Sequence, residues 1–195
     1  MELVVATGNR KKLKEIQAIL SGMLFSVRCL ADFPKIPEPP ENGKTFVENA
    51  VSKARYYAKE LGRIVLAEDS GLEVKALHGK PGVYSARFAG PEKRDVENIA
   101  AVLNLMKAVP MSKRQASFTS AACVATPEGK TFTFKGKKSG LIALKPAGKN
   151  GFGYDPIFFL PELNKTFAEL SPQKKNALSH RRVSLEKVRG FLNYF

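Results

Sequence analysis

Leu3-Val4-Val5-Ala6-Thr7-Gly8-Asn9-Arg10-Lys11-Lys12-Leu13 is the stretch whose reading decides the fold class. Its first four residues are uninterrupted apolar side chains, the pattern of a strand covered on both faces. Leu13, Ile16 and Leu20 then recur at helical spacing, so the order is strand, loop, helix. The loop, Thr7 to Lys12, sets a glycine, a side-chain amide and three cations where a helix begins. Free backbone N–H groups, the positive end of the helix dipole and Arg10, Lys11 and Lys12 can there converge on phosphate. The segment matches neither the P-loop nor the dinucleotide-binding glycine pattern, so the competing reading is a solvated basic first turn.

Outward from that unit, the pattern repeats. Ile64 to Ala67 is a second apolar strand that runs into the polar sequence Glu68-Asp69-Ser70-Gly71, and two such loops can share one rim. Leu72 to Leu77 alternates as a half-exposed strand, and Gln115–Ala125 with Thr131–Lys135 forms a hairpin across Thr126 to Lys130. Thr45 with Glu48 is a capping box for a helix whose apolar face is Phe46, Ala50, Ala54, Tyr57 and Leu61, stopped by Gly62. Ile99, Leu103 and Met106 mark another helix, and Ser179 caps a last one with Leu185, Val188 and Leu192 inward. Residues 31–42 carry four prolines and are an irregular connection. Early strand–helix alternation followed by a hairpin predicts an α/β protein with a mixed central sheet flanked by helices.

The 195 residues suit one domain, or two lobes sharing a core. With 44% hydrophobic and 26% charged residues, the chain is neither disordered nor membrane-spanning, and no apolar run approaches the roughly 20 residues of a bilayer helix. The start is acidic and its apolar run is too short for a secretory leader, which predicts a cytoplasmic protein. Cys29 and Cys123 stand far apart with no partner at metal spacing, so neither a disulfide framework nor a zinc site is expected. The net charge of +14 favours polyanions: nucleic acid, free nucleotides or anionic lipid.

Glu68 and Asp69, delivered to the rim by an apolar strand, are the kind of carboxylates that hold Mg²⁺ bridged to substrate phosphates, one of them free to take a proton from water. Ordinary turn acids are the alternative. Ser70 is a ligand hydroxyl or a cap. Asn49, Lys53 and Tyr56 share a helix stripe from which Lys53 either reaches a phosphate or faces solvent. Glu38 and Glu41 either complete a metal site or solubilise a loop. Lys145 to Asp155 interleaves Gly148, Gly151 and Gly153 with Phe152 and Tyr154, which lets backbone approach a ligand beside aromatic faces. Lys175, His180 and Arg181 bring donors to the start of the last helix.

Taken together, Ala6-Thr7-Gly8-Asn9, Thr45 to Ala50, Glu68 to Leu72, Pro81 to Arg87, Gly151 to Pro156 and Ser179-His180-Arg181 resemble the inosine triphosphate pyrophosphatase family across nearly the whole chain. The resemblance implies a single domain over residues 1–195 of two lobes with an active-site cleft between them. It implies Mg²⁺-dependent hydrolysis of ITP, dITP and XTP to monophosphate and pyrophosphate by a homodimer without membrane or nucleic-acid partner. Carried over by position, Thr7, Gly8, Asn9, Arg10, Lys11, Lys12 and Lys53 hold the triphosphate, and Ser70 contacts substrate. Asp69 is the general base and, with Glu68 and Glu41, a metal ligand. Phe152, Gly153, Tyr154 and Asp155 form the nucleoside wall, with Phe152 stacked on the purine, and Lys175, His180 and Arg181 read the base. Arg182 and Lys149-Asn150 depart from the family pattern near that pocket. The competing readings are a Maf-like nucleotide pyrophosphatase with other bases and a basic nucleic-acid-binding domain.

Overall fold

The structure, a computed structural model, describes residues 2–22 and 25–194. Seven strands, β1 (Glu2–Ala6), β2 (Ser26–Cys29), β3 (Ile64–Val74), β4 (Gln115–Ala125), β5 (Thr131–Ile142), β6 (Phe158–Leu160) and β7 (Lys165–Thr166), form one sheet in the order β2-β1-β3-β4-β5-β6-β7. β1 is parallel to β2 and β3, whereas β6 is antiparallel to β5 and β7, so the sheet is mixed as expected. Five α-helices accompany it: α1 (Arg10–Leu20), α2 (Phe46–Leu61), α3 (Asp95–Leu105), α4 (Pro172–Leu178) and α5 (His180–Leu192). Among the described residues no helix is long and apolar enough to cross a membrane.

Local chemistry sets the helix ends. Asn9 Oδ1 accepts from Lys11 N at 2.9 Å and Lys12 N at 3.1 Å, so α1 starts at Arg10 and the first loop is shorter than expected. Thr45 Oγ1 caps α2 by accepting from Glu48 N at 3.1 Å. The return half of the box is displaced by one residue: Glu48 Oε2 accepts from Lys44 N at 2.7 Å. Gly62, left-handed at φ 60°, ends α2. α4, absent from the sequence reading, is capped by Ser171 with Pro172 in its first turn.

The chain forms two compact units, residues 1–69, 120–136 and 181–195, and residues 70–119 and 137–180. In the first, α1 presents Ile16, Ile19 and Leu20, and α5 presents Leu185, Val188 and Leu192, to Leu3, Val5, Leu66, Ala122 and Val124. Val4 and Val65, between those positions, are buried on the opposite face. Cys123 lies in this interior as a free thiol that burial pushes up to about 11. The second unit packs Leu72, Val102, Met106, Ile142, Ile157 and Leu160 around an aromatic cluster in which Phe118 lies 4.6 Å from Phe158 and 5.9 Å from Phe167.

The two sequence-predicted strands Ile64–Ala67 and Leu72–Leu77 are one. β3 runs without interruption through Glu68, Asp69, Ser70 and Gly71 to Val74, so the acid pair is inside a strand and not on a loop at its end. Gly71 tolerates this because Ser85 fills the space beside it: a Cβ there would strike Ser85 Oγ, and that hydroxyl accepts from Leu72 N at 2.9 Å. The Glu-Asp-Ser-Gly composition of a turn is overridden by pairing in the sheet.

Arg114, 2% exposed, is held by carbonyls of unit two: Nε to Ile142 O at 2.7 Å, Nη1 to Met106 O at 2.7 Å and Val109 O at 3.0 Å, and Nη2 to Ala143 O at 3.1 Å. It joins the end of α3 to the ends of β4 and β5. Lysine has neither the fork nor the number of donors to satisfy these acceptors. Arg114→Lys is expected to lower unfolding free energy by about 2–4 kcal/mol in urea titration; wild-type stability in that variant would refute the staple.

Candidate functional site

The geometry of the first unit follows from the register of β1 on β3. Leu3 pairs with Ile64, and the ladder ends at Ala6 opposite Ala67. Because the strands are parallel, both chains leave the ladder at the same level: Thr7 opens the loop to α1 where Glu68 and Asp69 follow. Lys12, in the first turn of α1, reaches back to Glu68 Oε2 at 3.2 Å.

Asp69 is 8% exposed, and Asn49 Nδ2 on α2 donates to its Oδ2 at 2.9 Å. Burial raises the Asp69 pKa; Lys12 and the Asn49 hydrogen bond oppose the shift, and Glu41 and Glu68 add to it. Glu68, 3% exposed, is gripped by Arg181 Nη2 at 3.1 Å as well as by Lys12. Arg181 Nη1 donates to Glu15 on α1, and Lys53 Nζ on α2 donates to Glu41. Asn49 and Glu15 are contributors that the sequence reading did not assign. Asn49 shares the predicted Lys53 stripe, so its signal was present; Glu15 had none, because its partner is 166 positions away.

Several of the expected site residues have partners within the chain. Lys53 is buried and ion-paired with Glu41, not turned to solvent. Arg181, in the first unit, binds the carboxylates of Glu15 and Glu68. Glu41 pairs with Lys53, and Glu68 with Lys12 and Arg181; among the described residues no group of three or more His, Cys, Asp or Glu side chains is placed to hold a metal without further ligands. Asn9, expected at phosphate, spends its side-chain oxygen on the α1 cap. Arg10, Lys11 and Gly8 are exposed beside it, and Thr7 Oγ1 accepts from Asn9 N at 3.2 Å.

In the second unit, residues 151–155 are tied at several points. Asp155 Oδ2 accepts from Phe152 N at 2.8 Å and from Lys175 Nζ at 2.5 Å. Lys175 Nζ also lies 4.5 Å over the Phe152 ring, so one face of the expected purine-stacking ring carries a cation. Tyr154 is buried, its hydroxyl donates to Ser85 O at 2.8 Å, and burial pushes its pKa strongly upward. Gly151 is left-handed at φ 77°, and a Cβ there would strike Asp155. His180 is buried and stacked on Phe118, 4.8 Å between ring centroids at 15°. Ser70 is half-buried within β3, and Arg182 pairs with Glu186 at 2.6 Å.

The first unit thus sets the start of α1, with Arg10, Lys11 and Lys12 in its first turn, at the end of the sheet where the buried acids Glu68 and Asp69 follow Ala67. Residues 3–191 match the Ham1 family, and the chain belongs to it. A protein of an Exiguobacterium species named dITP/XTP pyrophosphatase is 49% identical over 188 residues, 96% of this chain and 95% of that protein. A protein of the same name from Geobacter sulfurreducens is 48% identical over 98% of this chain and 96% of its own. The solved structure of a HAM1 protein from Coxiella burnetii superposes with a TM-score of 0.91 at 42% identity, covering 100% of both chains. Membership in this family sets aside the Maf-like reading.

Burying Asp69 makes a stability prediction. A carboxylate whose pKa is raised on folding favours the fold below its unfolded pKa, and that favour is lost as pH rises through the folded value. Asp69→Asn keeps an oxygen to accept from Asn49 and removes the buried charge. In metal-free buffer it is expected to melt above wild type at pH 7 and to lose that advantage towards pH 4; a lower melting temperature at pH 7 would contradict the burial penalty.

Proposed function

We infer that this chain hydrolyses non-canonical purine nucleoside triphosphates, ITP, dITP and XTP, to the monophosphate and pyrophosphate, as a single ITPase-like domain working as a cytoplasmic homodimer. The names of its relatives support the activity, and one observation of this chain carries it: the parallel β1–β3 register that sets the loop after Ala6 beside buried, Asn49-oriented Asp69.

In this reading Asp69 accepts a proton from water. The water oxygen bonds to the α-phosphorus, the bond from that phosphorus to the α–β bridging oxygen breaks, and pyrophosphate leaves with the electron pair. Burial raises the Asp69 pKa and so strengthens it as a proton acceptor, which suits a general base. Thr7, Gly8 and the first turn of α1, Arg10 to Lys12, receive the phosphates through amides, helix dipole and ammonium groups, together with Lys53. Ser70 follows the acid pair directly in the chain and contacts the substrate. Phe152 takes the purine on the face opposite Lys175, whose ammonium lies over the other face of that ring and pairs with Asp155, so that Lys175 acts on the base through the ring it holds. His180 backs the aromatic cluster of the unit that carries the wall, and Arg181 holds Glu68, the chain neighbour of the general base.

The cation Mg²⁺ suits hard carboxylate oxygens; Asp69, Glu68 and Glu41 do not form a metal site by themselves, and they would hold it together with phosphate oxygens of the substrate. When bound it withdraws charge from phosphate oxygens. Two of the lysines this reading assigns to phosphate are already ion-paired, Lys12 with Glu68 and Lys53 with Glu41. A bare triphosphate must displace those carboxylates, which favours arrival of the cation together with the substrate.

Two measurements test this. Incubation of the protein with Mg²⁺ and ITP, XTP, dITP, ATP or GTP is expected to release pyrophosphate, with ITP preferred over ATP by roughly 10⁴-fold in kcat/KM. Asp69→Asn is expected to lose about 10²–10⁴-fold in kcat while remaining folded; orthophosphate as product, or undiminished turnover in that variant, would end the reading. By calorimetry, a non-hydrolysable imido analogue of ITP is expected to bind at least roughly tenfold more weakly without Mg²⁺. Glu41→Gln, which releases Lys53, is expected to tighten metal-free binding; weaker metal-free binding would contradict the need to displace that carboxylate.

A further inference from the structure

The first turn of α3 reaches the wall loop at one place. Asp95, the first residue of α3, accepts through Oδ2 from Gly153 N at 2.8 Å, across 58 positions of sequence. Gly153 lies between Phe152 and Tyr154 and is left-handed at φ 59°, with nothing within 4 Å of the position a Cβ would take. Glycine is needed there for its backbone conformation and not for space, and a left-handed glycine is the residue that most readily rotates away. On the Phe152 side the loop is fixed by Asp155, and on the Tyr154 side by the Tyr154 hydroxyl on Ser85. Asp95 fixes the residue between.

One turn further along α3, Asn98 Nδ2 donates to Ala86 O at 3.0 Å, and Asn98 Oδ1 accepts from Ala89 N at 2.7 Å. The same turn therefore holds the 3₁₀ segment Gly82–Arg87, which supplies the acceptor for Tyr154 and, through Ser85, packs on Gly71. Asn98 is buried and belongs to the framework of this unit, whereas Asp95 is exposed. Favourable acidity at the α3 N-terminus is also supplied by Glu97. The fold therefore needs little from Asp95, and the Gly153 hydrogen bond is its distinctive contact.

We propose that Asp95 is a positioning residue that sets purine discrimination by locking the Gly153 hinge of the wall loop, so that the Phe152 ring keeps one orientation. This rests on the reading of residues 152–155 as the nucleoside wall. A carboxylate–amide hydrogen bond at a hinge acts on the ring's alignment with the base and not on the acid that activates water, so the effect falls on KM and on the ratio between bases.

The test compares Asp95→Ala with Asp95→Asn, which retains an acceptor oxygen. In Asp95→Ala, KM for ITP is expected to rise about tenfold, kcat to stay within about twofold, and the ITP-to-GTP ratio of kcat/KM to fall about tenfold. Asp95→Asn is expected to recover most of each change. Without any nucleotide, amide hydrogen exchange over residues 151–154 is expected to quicken at least roughly tenfold in Asp95→Ala and not elsewhere. Unchanged local exchange, exchange raised throughout the chain, or an unaltered base ratio in a variant that does turn over ITP would each overturn the proposal. If wild type hydrolyses no triphosphate, the functional reading fails by itself, and the proposal, which needs that wall, is overturned with it; the exchange result then still reports whether the hinge is locked.

Discussion

Two apolar stretches, Leu3 to Ala6 of β1 and Ile64 to Ala67 of β3, lie side by side in parallel, and their register sets the loop after β1 level with Glu68 and Asp69. Parallel neighbours with burial on both faces cannot slip by one residue without turning Leu3, Val5 and Leu66 away from α1 and α5. The helical core thus enforces the pairing of Ala6 with Ala67, and that pairing brings Lys12 to Glu68. Hydrophobic packing here sets electrostatics: α1 contributes both the apolar side that holds the register and the basic turn that uses it.

Charge burial is the complement of that constraint. Glu68 and Arg181 are almost wholly removed from water, a state that persists because each meets an opposite charge, Glu68 meeting Lys12 and Arg181, and Arg181 meeting Glu15 and Glu68. Desolvation opposes the guanidinium charge while Glu68 and Glu15 favour it, and the net direction for Arg181 is upward. Asp69 is different. Its near partner is a neutral amide, so burial prevails and its pKa rises. Two adjacent acids in one strand are divided by their neighbours: Glu68 is neutralised as a bracket, and Asp69 retains proton affinity. The overall charge of +14 does not announce this division, because around Asp69 the cations Lys12, Lys53 and Arg181 are held by Glu68, Glu41 and Glu15.

The features legible in the sequence were those written in local periodicity or capping chemistry. β1, the inward faces of α1 and α5, the Thr45 and Gly62 ends of α2, and the bounds of β4 follow from spacing and end signals alone. β2, with four residues, and β6 and β7, with three and two, are too short to carry a period and owe their pairing to the sheet. The acid pair was found, but its setting was misread, since Glu-Asp-Ser-Gly is turn chemistry unless Ser85 stands beside Gly71. Glu15, Arg181 and Asp95 show why the rest was hidden. Their partners lie 166, 113 and 58 positions distant, and nothing in a helix's own spacing announces which carboxylate a distant chain segment will bring to it.

Gly8 and Gly71, both near the acids in sequence pattern, separate two kinds of constraint. At Gly71 a side chain would collide with Ser85, so the fold itself demands glycine. At Gly8 nothing lies within 4 Å of the position a Cβ would take, and the residue is not left-handed. Neither packing nor backbone conformation in the ligand-free chain accounts for glycine there. Open space at position 8 is what the proposed function would use: a loop between a buried strand and a helix N-terminus gains amide access to phosphate oxygens by omitting a side chain. It lies at the same end of β1 where the register with β3 brings Glu68 and Asp69.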